Sequence, residues 1–372
     1  MRARFRPRFF LMKYLNLWFP YFLFAVASAF LIAGCSTSGS LLDISEQEKS
    51  IEAEYSIVYL IHGDADYLYH DSLGTARQAD EKVLAEAVRV GEQAKNGEVL
   101  IFHQRPERKV LWLFPRKDRQ FLHYRHGELV EKRRYSPSAK TGSGVFSAET
   151  RLYKDYGTAS DSIANSILLY FGHEIPYENG RGYYRSMAGK KMNTGTFSRG
   201  ISSLLPETRE RFDLVVLSTC NNGTPDMAHA LKPFTRYLLA SPQNLHLSHI
   251  DTEELSMLEN NPGTKPGKLA EKLSRLTYRR LTNTLETVVS LSVYDMQEID
   301  SYIHRLDSTY RSYLNTGSPA EPGNENIDCA ALPIFGNQVM FSRGVNSRYR
   351  PPRFGRKADL ETHSGWGCKE RR

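Results

Sequence analysis

Two short apolar runs, each ending in a reactive side chain, dominate the pattern of apolar and polar positions. Residues 166–173 read Ser-Ile-Leu-Leu-Tyr-Phe-Gly-His, and residues 212–220 read Phe-Asp-Leu-Val-Val-Leu-Ser-Thr-Cys. Continuous apolar runs of this length, bounded by polar or glycine-rich sequence, suit strands of a parallel sheet covered on both faces. His173 and Cys220 then stand at strand carboxyl ends, the crevice where open α/β sheets place their chemistry. An imidazole and a thiol at that rim are the parts of a cysteine nucleophile and its acid–base partner.

The remaining pattern fits the same architecture. Residues 55–62 and 98–103 predict strands, and Gly63 to Asp66 a turn. Over 76–95, Val83, Leu84, Ala87 and Val88 share one helical face, which completes a βαβ unit. Residues 109–114 and 120–125 alternate with turns, and a third short run begins at His126-Gly127; together they predict an antiparallel meander at a sheet edge. Residues 145–164 read as helical. Glycines at 180, 182, 189, 195 and 200 mark a loop after His173, with a short crossover helix near 200–211. Beyond Cys220 the pattern predicts a helix over 225–235, a strand over 235–240, a helix over 265–284 and a strand over 287–294. Asp295 and Glu298 resemble a capping box that opens a helix through Leu314. Residues 316–372, rich in Pro, Gly and Arg, show little periodicity, and no internal repeat is present.

Charge changes the picture at the start of the chain. Arg2, Arg4, Arg6, Arg8 and Lys13 precede an apolar stretch that ends Leu-Ile-Ala-Gly-Cys35. That is the pattern of a signal peptide with small residues before the cut. The cysteine at the cut resembles a bacterial lipoprotein signal, which implies diacylglycerol and palmitate on Cys35 and a lipid anchor in the cell envelope. Ser36, where an Asp would retain the protein, implies the outer membrane in a Gram-negative cell. An ordinary N-terminal anchor with a chance cysteine is the alternative. The organisation expected is a signal over 1–34, a polar tether over 35–54, one domain over 55–315 and a C-terminal extension over 316–372.

The net charge of +7 includes the five signal-peptide positives, and without them it is +2. The basic balance therefore does not argue for nucleic acid. The 21 tyrosines are spread along the chain rather than interleaved in one basic stripe, and Glu131 to Arg134 reads as a solvated strand edge. In an oxidising compartment Cys329 and Cys368, which flank the loop-rich tail, are expected to pair. Cys220 is then left as a thiol, with a buried core cysteine as the bland alternative.

His173 and Cys220 are 47 residues apart, close to the His-to-Cys interval of caspase-type folds. With the first strand and its Gly63-Asp64, the two runs ending at His173 and Cys220, Met227-Ala-His-Ala-Leu leading to Arg236-Tyr-Leu-Leu-Ala-Ser241, and Val-Ser-Leu-Ser-Val-Tyr-Asp295, the chain resembles the clostripain family of cysteine peptidases over most of residues 55–315. The resemblance implies an α/β caspase-like sandwich, a mostly parallel sheet flanked by helices, with an antiparallel edge meander and an irregular C-terminal tail. It also implies an endopeptidase acting on peptide or protein substrates without a cofactor. Cys220 would attack the scissile carbonyl, His173 would protonate the leaving amine, and the amides of Cys220 and Glu174 would hold the oxyanion.

Three departures stand out. Glu174 follows His173 where the family has Gly. Ser218 stands where an acid helps to bind a basic P1 side chain. The stretch 241–251 lacks the family's usual acidic pattern. Asp226 and Asp251 are candidate replacements for the pocket acid, with a plain surface carboxylate as the alternative for each. The family's calcium dependence and self-cleavage do not transfer, because no loop has calcium-binding spacing. No zinc, P-loop or dinucleotide pattern is present either, so no metal is expected. Leu60-Ile-His-Gly63 resembles the His-Gly of α/β-hydrolases, but no Gly-x-Ser-x-Gly elbow follows a strand. A non-catalytic surface lipoprotein that binds proteins through the same scaffold is the second reading, supported by Ser218 and Glu174.

Overall fold

The strand Tyr55–His62 (β1) is buried at every position, as a strand covered on both faces must be. In the computed structural model the described residues are 52–63, 68–70, 75–105, 108–110, 114–116, 119–136, 144–158, 163–177, 192–245, 249–316, 325–340 and 342–370. They belong to one unit, 51–372. The signal peptide, Cys35 and nearly all of the tether lie outside the described residues. The last tether positions already belong to the folded unit: Ala53 is buried, and the Glu54 N–H donates to Asn96 O.

Beyond β1 the chain runs through α1 (Ala79–Gln93), β2 (Gly97–Gln104), β3 (Arg119–Arg125), β4 (Glu128–Tyr135), α2 (Ser147–Tyr156), β5 (Asn165–Phe171), α3 (Thr194–Ser203) and β6 (Phe212–Ser218). It continues through α4 (Pro225–Leu231), β7 (Thr235–Ala240), α5 (Pro266–Thr284), β8 (Val289–Asp295), α6 (Asp300–Asn315) and β9 (Val345–Arg350). The nine strands build one sheet in the order β9-β8-β7-β6-β5-β1-β2-β3-β4. The five central strands, β7 to β2, are parallel. Both edges are antiparallel: β8 and β9 at one, β3 and β4 at the other.

Side chains alternate across each central strand. Leu168, Tyr170, Val215 and Leu217 pack against Phe197 and Ile201 of α3, Met227 and Leu231 of α4, and Ile303 and Leu306 of α6. Ile167, Leu169, Leu214 and Val216 face the other way, toward Val83 and Val90 of α1 and Leu269 and Leu273 of α5. This is the mostly parallel, helix-flanked α/β sandwich with an antiparallel edge meander. The outer strand β4 is exposed along most of its length, and its Glu-Lys-Arg-Arg run discourages pairing with another sheet edge.

Several element boundaries differ from the sequence pattern for local reasons. The crossover helix runs 194–203 rather than 200–211: Asn193 accepts from the Thr196 N–H while Thr196 Oγ1 accepts in return, and Pro206 follows the helix end. The helix expected over 145–164 stops at Tyr156, where Gly157 caps it. The helix after Cys220 ends at Leu231, and Pro233 sits in a 3-10 turn. Asp295 Oδ1 accepts from the N–H groups of Gln297 and Glu298, which makes a turn ahead of α6 rather than its first turn. Of the meander, 108–110 and 114–116 form a separate two-stranded ladder. The segment from 316 onward is mostly irregular, yet it lends β9 to the main sheet. Cys329 and Cys368 form a disulfide within it.

Candidate active site

Strands β5 and β6 are neighbours in parallel register, with Phe171 opposite Ser218. His173 and Cys220 each lie two residues beyond that pair, so the chain delivers both to the same rim. Both are partly exposed, and Cys220 is not disulfide-bonded. The segments that carry them are stitched together. Asn222 accepts from the Ile175 N–H at 2.9 Å and donates to Ile175 O at 2.8 Å. Asn221 Nδ2 donates to Glu174 Oε2 at 2.7 Å. Thr219 Oγ1 donates to Asn222 Oδ1 at 2.7 Å, which holds the amide in place.

The turn after the thiol has its own requirements. Asn221 sits at φ 55, the left-handed region that Asn tolerates better than most residues. Gly223 is sterically obligatory, because a Cβ there would lie 2.6 Å from the Tyr294 hydroxyl and 2.7 Å from Pro242 N. The Leu245 N–H points at Cys220 Sγ, 3.3 Å away.

Ser218 and Asp251 lie on the Cys220 side of the sheet. The Ile250 N–H donates to Ser218 Oγ at 2.9 Å, and Asp251 follows directly. The Asp251 carboxylate is already matched: Arg280 Nε reaches its two oxygens at 2.8 and 2.9 Å, and Arg280 also donates to His249 O. Behind it His249 Nε2 contacts Glu86 Oε1 at 2.6 Å. Burial pushes the Glu86 carboxyl up, but the hydrogen bond and charge of His249 outweigh it and hold the group below its ordinary value. Glu86, His249 and Asp251 offer donor atoms within 4.8 Å of one another, the spacing of a possible metal site. Arg280 already supplies the positive charge such a cation would bring, so the trio is an ion-pair chain.

Asp226, the other pocket candidate, does not join this group. It is buried in the helical layer on the opposite face, where Thr194 Oγ1 donates to it at 3.2 Å. Burial raises its pKa, Thr224 and Thr194 partly oppose that, and the nearby Asp307 adds to it. The pattern misled because adjacency to Cys220 in sequence does not say which face a side chain takes. His62, of the hydrolase-like run, is fully buried, with Tyr170 Oη 3.2 Å from its Nδ1; it is a core residue. An open cavity of about 480 Å³ lies at the far end of the sheet, lined by Arg209, Arg211, Asp213 and Arg236 near the starts of β6 and β7. It is remote from the rim, and Asp213 already pairs with Arg209 and Arg236 there.

The sequence pattern passed over Asn221, Asn222, Leu245 and Arg280. The Asn-Asn-Gly turn after an apolar run was the visible signal for the first two. Leu245 and Arg280 act across long separations and left none.

This sandwich is the caspase-like fold of C11 proteases. An inactive zymogen C11 protease from Parabacteroides distasonis superposes with a TM-score of 0.51 at 12% identity, over 85% of this chain and 92% of that one. The secreted C11 cysteine protease iotapain from Bacteroides thetaiotaomicron gives 0.53 at 14%, over 85% and 93%. A secreted C11 cysteine protease from the same organism, in complex with an irreversible peptide inhibitor, gives 0.52 at 13%, over 86% and 90%. No family model matches the chain, and no curated protein matches it by sequence.

Proposed function

We propose that the chain is a lipid-anchored cysteine endopeptidase of the bacterial envelope, with Cys220 as nucleophile and His173 as its acid–base partner. The observation that carries this is the Phe171–Ser218 register, which sets both residues two positions past one strand pair. The likeness of the fold to C11 cysteine proteases, one of them in complex with an irreversible peptide inhibitor, supports the same reading.

The reaction follows from those roles. The Cys220 thiol gives its proton to His173 as its sulfur attacks the scissile carbonyl carbon, and the C=O electron pair moves onto the carbonyl oxygen. The N–H groups of Cys220 and Glu174 stabilise that oxyanion. Collapse expels the amine, which takes its proton from His173 and leaves a thioester on Cys220. Water then attacks the thioester with His173 as base, and the acid product departs as the thiol is restored.

Ser218 in place of a pocket acid, and an Asp251 already paired with Arg280, argue against selection for a basic P1 side chain. Cys35 carries the lipid in this reading; labelling with a palmitate analogue, lost in Cys35→Ala, tests it. The activity is tested with a thiol-directed peptide probe and a peptide-library digest of wild type and Cys220→Ala. Cleavage and labelling that vanish in the variant are the expected result. A wild type that neither cleaves nor labels leaves a tethered binding scaffold.

A further inference from the structure

Two short strands of the C-terminal segment, Asn326–Asp328 and Gly367–Lys369, pair antiparallel with Ile327 opposite Cys368, and the Cys329–Cys368 disulfide cross-links them. The ladder rests on the sheet through buried Trp366, whose ring centroid is 4.6 Å from that of Tyr294. It reaches the rim at several points. Asn326 Nδ2 donates to Asn221 O at 3.1 Å and to Pro242 O at 3.0 Å, and the Asn326 N–H donates to Asn221 Oδ1 at 3.4 Å. The Gly367 N–H donates to Gly223 O at 2.8 Å. Lys369 Nζ lies 2.7 Å from Glu174 Oε1, while Asn221 holds Glu174 Oε2. The residue after the thiol and the residue after the imidazole are thus each gripped by one ladder and joined to each other.

We infer that Lys369 is a positioning residue, which pins and neutralises Glu174 so that the amide beside His173 can serve a developing oxyanion. The inference rests on the peptidase reading and names a part of that site. Negative charge grows on the substrate oxygen during attack, and a carboxylate on the very residue that donates to it opposes that growth. Here both carboxylate oxygens are engaged, one by an ammonium and one by an amide. The pair is partly sheltered, with side-chain exposures of 18% for Lys369 and 26% for Glu174, so solvent screens it less than a surface pair. Lys369 is itself fixed, because its N–H donates to the buried Tyr310 hydroxyl at 3.0 Å. The chain thereby tolerates Glu where a Gly would be simplest.

The test uses the full-length protein and an irreversible peptidyl inhibitor with a thiol-directed warhead, alongside a cleaved peptide substrate. Lys369→Met is expected to lower kcat and the maximal inactivation rate about tenfold, with KM and inhibitor affinity changed less than about twofold. Lys369→Arg restores the rate. So does adding Glu174→Gln to Lys369→Met, because the uncompensated charge is then gone. An unchanged Lys369→Met, or a loss that the second substitution does not relieve, overturns the inference. If Lys369→Met fails to fold, the double variant decides: turnover within about threefold of wild type supports the inference, and a larger loss overturns it. A wild type without Cys220-dependent turnover sinks the peptidase reading and this inference with it, whereas an active wild type with an indifferent Lys369 sinks this inference alone.

Discussion

Asn222 ties two strand ends into one rim. Its side chain satisfies both the N–H and the carbonyl of Ile175. Asn222→Ala would strip partners from two buried backbone groups, at about 1–3 kcal/mol of stability. The expected result is a lower denaturant midpoint and, through loosened spacing of His173 and Cys220, a kcat reduced by at least about tenfold. Asn222→Asp keeps the acceptor for the Ile175 N–H but sets a buried carboxylate oxygen against Ile175 O, so it too should lower the midpoint. At Asp251 the expectation is the reverse in kind. With Arg280 on both oxygens, Asp251→Asn should alter the ratio of cleavage after Lys or Arg to cleavage after neutral residues by less than about threefold, and should instead cost stability. A peptide-library profile with a thermal melt separates the two. The placing of His173 and Cys220 two residues past one strand pair was legible in the sequence because each closes an apolar run, and their interval is the one two adjacent parallel strands produce. The roles of Asn221 and Lys369 toward Glu174 were not: those contacts span 47 and 195 residues, and only the folded chain brings them together. Asp226 shows the converse, a carboxylate close to Cys220 in sequence that the fold turns to the other face.

Among the elements, the strands of the parallel core were legible almost to the residue, because burial on both faces leaves a continuous apolar run with sharp ends. β1 spans Tyr55–His62 and β7 spans Thr235–Ala240, as the pattern predicts. Helix ends were harder to read, since caps and packing decide them. Helix α3 is the instructive case. Its start is fixed by the reciprocal Asn193–Thr196 bonds, and its path by close approach at Gly200, where a Cβ would stand 2.5 Å from a ring carbon of Phe146. Helix propensity alone would favour Gly200→Ala by up to about 1 kcal/mol. Forcing a methyl into the buried Phe146 ring costs about 1–3 kcal/mol, so the clash outweighs the gain and the variant is expected to be less stable, by up to about 2 kcal/mol. A urea titration that finds Gly200→Ala more stable than wild type would contradict this packing. Because α3 precedes β6 and donates Thr194 to Asp226, a shifted α3 would also disturb the helical layer beneath the rim. The tail resisted reading for another reason: β9 and the disulfide-closed ladder draw their order from long-range pairing rather than periodicity.

For the molecule as a whole, ionisable groups buried in the sheet layer set its response to acid. His62 is fully buried between Phe146 and Tyr170, and its pKa is pushed down from 6.5 to about 3, first by burial and then by the charges of Arg119 and His103. The folded state therefore cannot take up a proton that the unfolded chain accepts from about pH 6.5 downward. In that window the unfolded state binds more protons, so stability falls as pH falls, at about 1.4 kcal/mol per pH unit for one such group. Burial also lowers the pKa of His229 and His363, which adds to the slope. Glu98 acts in a lower window. Burial pushes its carboxyl up, but the neighbouring His123 ring, 3.5 Å away, and hydrogen bonds from Thr158 and Ser56 hold it below 4.5, so its stabilisation is present above that value and is lost as pH drops through its folded one. Unfolding free energies should fall as pH drops from 7, with the raised Asp226 carboxyl opposing part of that fall toward pH 4, and the slope should flatten by about one proton in His62→Leu. A slope no steeper in wild type than in His62→Leu would show that His62 is protonated in the native core.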